Sequence, residues 1–429
     1  MKTLDQIGGE LQGYDPQALR AEAVLDFLDR LVEPLAETEV VSLLEAPGRV
    51  LAEDIICPFS VPPHDNSAMD GYAFDGAALQ NGGALELELV GTALAGQAWR
   101  GTVGPGQCVK IMTGAIMPAG LDTVVPQELA AVREVAGRTR VTLPAGLLHA
   151  GDNRRLAGED LMQGHPALRA GDPLGPAACG LIASLGLPQV RVTRRLKVAY
   201  FSTGDEILSL GDAPREGAVY DSNRHTVRAL LMRLGCEVID LGVVRDDPVL
   251  LRKAFTQAAA QADAVITSGG VSVGEADFTK AMMKELGDVA FWKIAMRPGR
   301  PMAVGRIPCG ERAAVLFGLP GNPVAVMVTF LAFVRPALLR MMGARPQAQV
   351  LLRARSAEAI RKKPGRTEYQ RGVVHRAPDG SLQVRTTGNQ GSGVLRSMVQ
   401  ANGLVVLHHA QGNVTAGDEV DVMLFDGAI

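Results

Sequence analysis

The stretch LKVAYFSTGDE at residues 196–206 decides the fold, because a strand-length apolar run leads directly into a glycine turn with hydroxyl and acidic side chains. The same order recurs in EVIDLGVVRDD at 237–247 and AVITSGGVSVGEAD at 264–277. Helical patterns at 224–234 and 249–260 separate these strands, with Asp221 or Ser222 placed to cap the first and Asp247-Pro248 to begin the second. This alternation predicts a parallel sheet covered by helices on both faces.

The regions on either side of this sheet follow different patterns. Residues 17–31 show amphipathic helical spacing, and 158–190 return to helical patterning, including 176–185. Between them, short apolar runs at 85–90, 108–112 and 140–143 are broken by glycine and proline, which indicates an all-β insertion. After residue 346, runs at 369–375 and 382–386 flank the turn 377–380, which predicts a hairpin in a small barrel or sandwich.

We therefore expect a multidomain protein that combines α/β and all-β domains. The predicted domains are a discontinuous helical N-terminal domain (13–57 and 158–190), an inserted β domain (58–157), a central α/β domain (191–345) and a C-terminal β-barrel-like domain (346–429). A chain of 429 residues is long enough for several domains.

Charge and composition exclude several classes of function. A net charge of −3, from 43 basic and 46 acidic side chains, argues against nucleic-acid binding. The five cysteines contain no C-x-x-C pair, which argues against a disulfide framework and a thiolate metal site. The N-terminus lacks a signal peptide, and the apolar run 324–334 is shorter than the about 20 residues that span a bilayer. We expect a cytoplasmic protein that does not bind membranes.

The predicted sheet carries a candidate anion site at one edge. Ligands of open parallel sheets lie outside the carboxyl ends of the strands. Here those ends run into the loops 202–206, 245–248, 268–277 and 318–323, which are rich in glycine and hydroxyl residues. Such loops let backbone N–H groups approach an anion. Any one of them could be only a tight turn, but four on one edge favour a pocket.

Charged side chains near this edge suggest how an anion would be held. Six carboxylates would repel a phosphate unless a cation such as Mg²⁺ lay between them; these are Asp205, Glu206, Asp246, Asp247, Glu275 and Asp277. Helix capping is the favoured role of Asp247, and it could explain part of the role of Asp277, which also precedes a predicted helix. Downstream, prolines and a glycine stiffen residues 293–301, so that arginines in this segment suit a tetrahedral oxyanion.

Four motifs, at 66–73, 202–206, 268–277 and 318–323, resemble in order the signatures of the molybdopterin molybdotransferases, the gephyrin E-domain-like family. The resemblance covers the chain apart from its first dozen residues. It implies a four-domain subunit in a homodimer, with an active cleft between the sheet domain of one subunit and the β insertion of the other. The implied reaction uses adenylylated molybdopterin, molybdate and Mg²⁺, releases AMP, and leaves molybdenum on the dithiolene sulfurs. A molybdopterin adenylyltransferase is the implied pathway partner.

The resemblance also implies roles for individual residues. The implied catalytic residues are Asp70, Thr113, Asp246 and Asp277, the last two with the metal. The implied substrate-binding residues are Asp160, Ser202, Thr203, Gly204, Asp205, Glu206, Ser268, Gly269, Gly270, Lys293, Pro320 and Pro323. The implied molybdate-binding residues are Arg297, Arg300, Pro301, Arg371 and Ser392.

Two departures from the family pattern and two rival functions accompany this prediction. Many members have lysines where this chain has Arg297 and Arg300, and a serine where it has Ala325, so the geometry around the oxyanion is expected to differ. A molybdopterin adenylyltransferase shares a related sheet domain but usually stands alone. A receptor-anchoring scaffold is the non-enzymatic alternative. The sequence does not distinguish molybdate from tungstate.

Overall fold

The computed structural model describes residues 2–271 and 278–425. The chain forms two compact units, each considered by itself below. The larger unit consists of Met1–Ala52, Gly171–Gly175 and Gln189–Ile429, and the smaller of Glu53–Ala170 and Pro176–Pro188. The division into four domains stays a prediction.

A six-stranded sheet forms the centre of the larger unit. Its strands lie in the spatial order Glu237–Val244, Lys197–Thr203, Ala264–Ser268, Arg312–Leu319, Pro301–Cys309 and Asp288–Lys293. The first four are parallel, as the sequence predicts, whereas Pro301–Cys309 runs antiparallel to both of its neighbours, Arg312–Leu319 and Asp288–Lys293. Neither Pro301–Cys309 nor the edge strand Asp288–Lys293 was predicted from the sequence.

Helices cover both faces of this sheet. They are Ser222–Arg233, Pro248–Gln261, Phe278–Leu286 and a helix that begins at Pro323. Along strand Lys197–Thr203, Val198 and Tyr200 pack into one core while Ala199 and Phe201 pack into another. Asp221 caps the first helix by accepting a hydrogen bond from the backbone N–H of Arg224 at 3.0 Å. The prediction of a sheet with helices on both faces is confirmed.

One helix in the described part of the chain, Pro323–Met341, is long and apolar enough to cross a membrane. The prediction from residues 324–334 alone had underestimated its length, because the helix continues through a π-helical segment, Phe330–Val334, and through Arg335–Met341. Its most apolar window has a mean hydropathy of 1.8, and 78% of that window is buried. Packing in the core therefore accounts for its apolar sequence.

The N-terminal region is less helical than the sequence suggests. Its helices are Leu4–Gly9, Ala21–Leu31 and Pro176–Ser184, and its strands are Thr38–Ser42, Ile55–Ile56, Pro166–Leu168 and Gln189–Thr193. The prediction of helical structure throughout 158–190 is wrong outside Pro176–Ser184. Gly158, Gly164 and Gly171 take positive φ values of 76°, 80° and 87°, which turn the chain and interrupt a helix.

The C-terminal region forms a closed five-stranded barrel, which decides between the two predicted architectures. Its strands are Leu352–Ser356, Thr367–Arg376, Leu382–Thr386, Gly403–Leu407 and Glu419–Leu424. Thr367–Arg376 and Leu382–Thr386 form the predicted hairpin, and Thr367–Arg376 also pairs with Gly403–Leu407, which closes the barrel. Helix Arg396–Gln400 precedes the Gly403–Leu407 strand. A short strand, Met296–Arg297, pairs with Thr367 and Glu368 and joins the basic segment to the barrel.

The smaller unit is built on a second six-stranded sheet, as predicted for the β insertion. Its strands lie in the order Thr123–Pro126, Gly71–Phe74, Gln107–Ile111, Leu85–Ala93, Arg138–Leu143 and Ala131–Val135. The stretch 64–73 is mostly polar or glycine, and its periodicity alone predicts a loop. In the structure, Gly71–Phe74 is an interior strand and all four of its residues are buried.

A buried ion pair joins two of the central strands at the amino edge of the main sheet. Asp263 is 9% exposed and accepts hydrogen bonds from Arg194 Nη1 at 2.7 Å, Arg194 Nη2 at 2.8 Å and the backbone N–H of Lys197 at 2.8 Å. Burial acts to raise the pKa of Asp263, but the hydrogen bonds from Arg194 and Lys197 and the charge of Arg194 lower it below its usual value.

Asp263→Asn is expected to lower the free energy of unfolding by about 3 kcal/mol at pH 7, because it removes the buried counter-charge of Arg194 and leaves only the exposed Glu37 at 3.5 Å. The folded state lowers the pKa of Asp263, so its stabilisation is present above the unfolded-state value of about 4 and is lost as the pH falls through the lowered value. Calorimetry at several pH values measures the difference from wild type, with the exposed Glu237→Gln as control. An equal difference at pH 7 and pH 3 would contradict the assignment.

Candidate active site

The four parallel strands of the main sheet end at the same level. Ser202 pairs with Val243 on one side and with Ser268 on the other, and Ser268 pairs with Leu319. The loops that follow these residues therefore emerge side by side at the carboxyl edge, where the sequence predicts a pocket.

A cavity of about 530 Å³ lies at this edge. It contains ten of the predicted site residues: Thr203, Gly204, Glu206, Asp246, Gly269, Gly270, Arg297, Pro301, Pro320 and Ser392. The remaining lining residues that the structure describes are Pro298, Gly299, Gly321, Asn322, Ala325, Gln390 and Gly391. The cavity thus combines the sheet loops, the basic segment and a loop of the C-terminal barrel.

Two glycines allow the wall of the cavity to pack closely on the core. Gly269 has a φ of +90°, and a Cβ atom there would lie 2.4 Å from the carbonyl oxygen of Thr203. Gly299 has a φ of +91°, and a Cβ atom there would lie 2.4 Å from Thr329 Oγ1. Side chains at these positions would displace one layer of the wall, so the sequence requires glycine for steric and conformational reasons.

Glu206 and Asp246 place two carboxylates on the cavity wall. Asp205 has a different role: its Oδ1 accepts a hydrogen bond from the backbone N–H of Asp246 at 3.3 Å, and its carbonyl oxygen accepts one from Arg215. Glu275 and Asp277 lie outside the described residues. Within residues 2–271 and 278–425, no group of three or more His, Cys, Asp or Glu side chains is arranged to hold a metal ion.

The basic residues of the segment 293–301 separate in the structure. Arg297 lines the cavity, whereas Arg300 is exposed and its carbonyl oxygen accepts a hydrogen bond from the backbone N–H of Ile294 at 2.7 Å. Lys293 ends an edge strand and is half-buried, and its backbone N–H donates to Pro16. Neither Arg300 nor Lys293 is among the described residues that line the cavity.

Arg371 lies behind the cavity wall and is 1% exposed. Its Nε donates to Ser397 Oγ at 2.9 Å, and its Nη2 donates to the carbonyl oxygens of Gly391 at 2.9 Å and Asn389 at 3.3 Å. Burial, with a smaller contribution from the charge of Arg297, lowers the pKa of Arg371 to about 10, so the side chain is still a cation at neutral pH. These hydrogen-bond partners are all uncharged.

Hydrogen bonds fix the barrel loop that carries Gln390 and Ser392. Gln390 Oε1 accepts from the backbone N–H of Arg371 at 2.8 Å, and Gln390 Nε2 donates to the carbonyl oxygen of Arg371 at 3.1 Å. The carbonyl oxygen of Ser392 accepts from the backbone N–H of Val324 at 3.0 Å, beside the helix start at Pro323. Asn322 and Gln390 also line the cavity and were not predicted, although Asn322 lies within the loop 318–323 and Gln390 is two residues before the predicted Ser392.

Ser202 and Ser268 lie in the core at the strand ends. Tyr200 Oη is 2.6 Å from Ser268 Oγ and 2.9 Å from Ser202 Oγ, and all three side chains are buried. Their hydroxyl groups are therefore already engaged with one another. The burial of Ser202 could have been predicted from the sequence, because side chains alternate between the two faces of a strand and Ser202 shares a face with the core residues Val198 and Tyr200.

The smaller unit brings Asp70 and Thr113 together. The backbone N–H and the hydroxyl of Thr113 both donate to Asp70 Oδ1, at 2.7 and 2.8 Å. These hydrogen bonds lower the pKa of Asp70, so it is a fixed carboxylate at neutral pH. Asp160 is exposed, and its backbone N–H donates to the carbonyl oxygen of Val61 at 3.1 Å.

Thr113→Val is expected to raise the pKa of Asp70 towards its ordinary value, because one of the two hydrogen bonds to Oδ1 is lost and the backbone bond remains. Carboxyl-carbon NMR across an acid titration measures this pKa. Thr113→Ser keeps the hydroxyl and should leave it unchanged. A wild-type pKa for Asp70 in the valine variant would show that the hydroxyl does not contribute.

Comparison with known proteins agrees with this architecture over almost the whole chain. Residues 19–186 match the family described as MoeA N-terminal region (domain I and II), 199–340 match the probable molybdopterin binding domain, and 353–425 match MoeA C-terminal region (domain IV). The solved molybdopterin biosynthesis MoeA protein from Pyrococcus horikosii aligns with a TM-score of 0.72 and 30% identity, covering 95% of this chain and 99% of that one.

Curated relatives give the same result. A molybdopterin molybdenumtransferase of Haemophilus influenzae is 42% identical over 400 residues, which is 93% of this chain and 96% of the relative. A molybdopterin molybdenumtransferase of Nostoc sp. is 37% identical over 394 residues, which is 90% of this chain and 88% of the relative. With three domain families matched in order and relatives aligned nearly end to end, the chain belongs to the MoeA family of molybdopterin molybdenumtransferases.

Proposed function

We propose that this protein inserts molybdate into adenylylated molybdopterin, with Mg²⁺-dependent release of AMP, to give molybdenum cofactor. The observation that carries the proposal is the single cavity in which glycine turns, two carboxylates and Arg297 meet at the carboxyl edge of the sheet. The names of the relatives support the transfer of molybdenum to molybdopterin. The adenylylated form of the substrate, AMP and Mg²⁺ belong to the proposal.

Positive charge supports an oxyanion in the barrel-side part of the cavity. Arg297 lines this part together with Gln390, Gly391 and Ser392, and Arg371 holds the same loop from behind. A buried guanidinium whose hydrogen bonds go to neutral groups carries uncompensated charge, which an anion in the cavity would offset. Molybdate is the proposed anion, with Arg297, Pro301 and Ser392 as its proposed contacts on the cavity wall and Arg371 contributing its charge from behind that wall. Arg300 remains a proposal from the resemblance alone.

Mg²⁺ fits the part of the cavity formed by the loops after the first two strands of the chain's parallel sheet, because Glu206 and Asp246 line the cavity there. This ion usually binds proteins through one or two carboxylates and completes its coordination with water and substrate phosphates. Asp246 and Asp277 are its proposed ligands. When bound, Mg²⁺ would neutralise charge on the phosphates that separate when AMP leaves. Thr203, Gly204 and Gly270 would then orient the nucleotide phosphates through backbone N–H groups, whereas the N–H of Gly269 already donates to the carbonyl oxygen of Leu319 at 3.2 Å, so that Gly269 contributes only close packing of the wall.

The proposed roles of residues in the β insertion rest on the family resemblance. Asp70, Thr113 and Asp160 are proposed as the contribution of the β insertion, supplied by the partner subunit of a homodimer. Asp70 would act there as a fixed negative charge, in keeping with its lowered pKa. A molybdopterin adenylyltransferase is the proposed upstream enzyme, and a cytoplasmic location remains a prediction.

The decisive experiment incubates the purified protein with adenylylated molybdopterin, Mg²⁺ and molybdate and follows AMP by chromatography. The proposal expects AMP release that depends on both ions. ATP consumption with free molybdopterin would identify an adenylyltransferase instead. A stable non-enzymatic partner in a pull-down, with no molybdate-dependent AMP release, would favour a scaffold. Repeating the assay with tungstate determines which oxyanion is preferred.

Asp246→Asn is expected to keep the thermal midpoint of wild type and to lower AMP release about 100-fold or more, because it removes a charge from the proposed metal site. Asp277→Asn should behave alike. Asp212→Asn, an exposed carboxylate outside the cavity lining, serves as the control. Wild-type turnover by a folded Asp246→Asn protein would exclude this residue from the metal site.

Arg371→Met is expected to raise the KM for molybdate about 10-fold or more, because the buried charge and the fork that holds the Asn389 and Gly391 carbonyls are lost together. Steady-state AMP release over a molybdate titration measures this KM. Arg371→Lys keeps the charge but lacks the planar guanidinium group, so its KM for molybdate should lie between those of Arg371→Met and wild type. The exposed Arg353→Met is the matched control, and an unchanged KM for Arg371→Met would contradict the role.

A further inference from the structure

Strand Glu237–Val244 contains a β-bulge four residues before Asp246. Lys197 to Tyr200 pair in step with Glu237 to Asp240, but Ser202 pairs with Val243 and Thr203 with Val244. The two residues Leu241 and Gly242 therefore lie opposite the single residue Phe201. Strand Glu237–Val244 therefore has one extra residue at this point, and the residues that follow it are shifted by one pairing position relative to a regular strand.

Gly242 and Asp240 form the bulge. Gly242 has a φ of +75°, which residues with a Cβ adopt at a steric cost and β-branched residues least of all. Its backbone N–H donates to Asp240 Oδ1 at 3.0 Å. Arg224 Nε donates to both carboxylate oxygens of Asp240, at 2.8 and 3.0 Å, and so anchors the side chain to the helix above it.

The side-chain packing of strand Glu237–Val244 agrees with this change of register. Ile239, Leu241 and Val244 all pack against the same hydrophobic core. In a regular strand Leu241 and Val244 would face opposite sides of the sheet, because their separation in sequence is odd. The bulge alone places Val244 on the core side, level with Thr203 of the neighbouring strand.

The register also decides where the next loop begins. Because Val243 and Val244 are level with Ser202 and Thr203, the loop at Asp246 leaves the sheet beside the loop at Asp205. The hydrogen bond from the backbone N–H of Asp246 to Asp205 Oδ1 joins these two loops. Asp246 then lies on the cavity wall with Glu206.

We infer that Gly242 and Asp240 are positioning residues for Asp246: the bulge they form sets the strand register that delivers this carboxylate to the cavity. The inference rests on the proposed function only in taking Asp246 as a ligand of the divalent cation. Neither residue lines the cavity among the described residues. Without the bulge, a regular strand would move Asp246 one position farther along the edge and turn the preceding valines to the wrong faces.

Gly242→Val is the direct test, because a β-branched residue disfavours the positive φ and favours a regular strand. The readout is Mn²⁺ binding in the presence of AMP, followed by the electron paramagnetic resonance signal of free Mn²⁺, with the thermal midpoint measured in parallel. We expect Mn²⁺ affinity to fall about 10-fold or more. Gly242→Asn should bind within about 3-fold of wild type, since asparagine tolerates the left-handed region.

Deletion of Gly242 is the matched control. It removes the extra residue, so that Leu241 faces Phe201 and Val243 still pairs with Ser202 in a regular ladder. Asp246 keeps its place, and Mn²⁺ affinity should stay within about 3-fold of wild type. If Gly242→Val does not fold, Asp240→Ala replaces it, because this variant removes the acceptor that holds the Gly242 N–H.

The outcomes separate this inference from the proposed function. Weak Mn²⁺ binding by Gly242→Val or Asp240→Ala, with near wild-type binding by the deletion variant, supports the inference. Wild-type affinity in the substituted proteins, or equal loss in the deletion variant, overturns it and leaves the proposed function intact. If wild type binds no Mn²⁺ with AMP and releases no AMP in the full assay, the proposed function fails, and this inference fails with it.

Discussion

The site depends on the level ending of four parallel strands. Val243, Ser202, Ser268 and Leu319 form one row across the sheet. Backbone hydrogen bonding fixes this row, so the loops that follow must turn away side by side in a small space. Positive-φ glycines such as Gly269 make these turns without steric conflict. The cavity is therefore a consequence of strand register, and its polar side chains occupy an edge that the sheet has already defined.

A layer of buried polar groups supports the residues that face the cavity. Tyr200, Ser202 and Ser268 connect two strand ends below it, and Arg371 holds the barrel loop beside it. At the surface, the exposed Asp205 also holds the backbone of Asp246. Such groups keep a site in one geometry before a ligand arrives, which lowers the reorganisation that binding and reaction require. Several residues that the family pattern marks as functional belong to this supporting layer.

Local sequence signals predicted the sheet domain well. Apolar runs, the Asp221 cap and Asp247-Pro248 depend on neighbours in the chain, and the observed strands and helices follow them. Gly158 and Gly164 contradicted the helical reading of 158–190, since positive-φ turns outweigh an apolar pattern. The interior strand Pro301–Cys309 was missed because its two antiparallel neighbours become evident only once the sheet is assembled.

The sequence predicted which motifs form the site better than it predicted which individual side chains line the cavity. Glu206 and Asp246 could be placed from strand ends alone, but Gln390 reaches the cavity through the barrel and its link to Met296–Arg297, a long-range pairing that no local pattern contains. Arg371 was predicted to bind the anion, but it is buried behind the cavity wall. The bulge at Gly242 could not be predicted from the sequence either, because an Asp-Leu-Gly sequence inside an apolar strand does not show which residue is unpaired.

The central claim is that this cavity holds a tetrahedral oxyanion beside a nucleotide. Crystals soaked with molybdate and AMP, with diffraction recorded at the molybdenum absorption edge, test it most directly. The account predicts an anomalous peak between Arg297 and the Gly391–Ser392 loop, with the AMP phosphate near Gly269 and Gly270. A molybdenum peak on another surface, with this cavity empty, would contradict it.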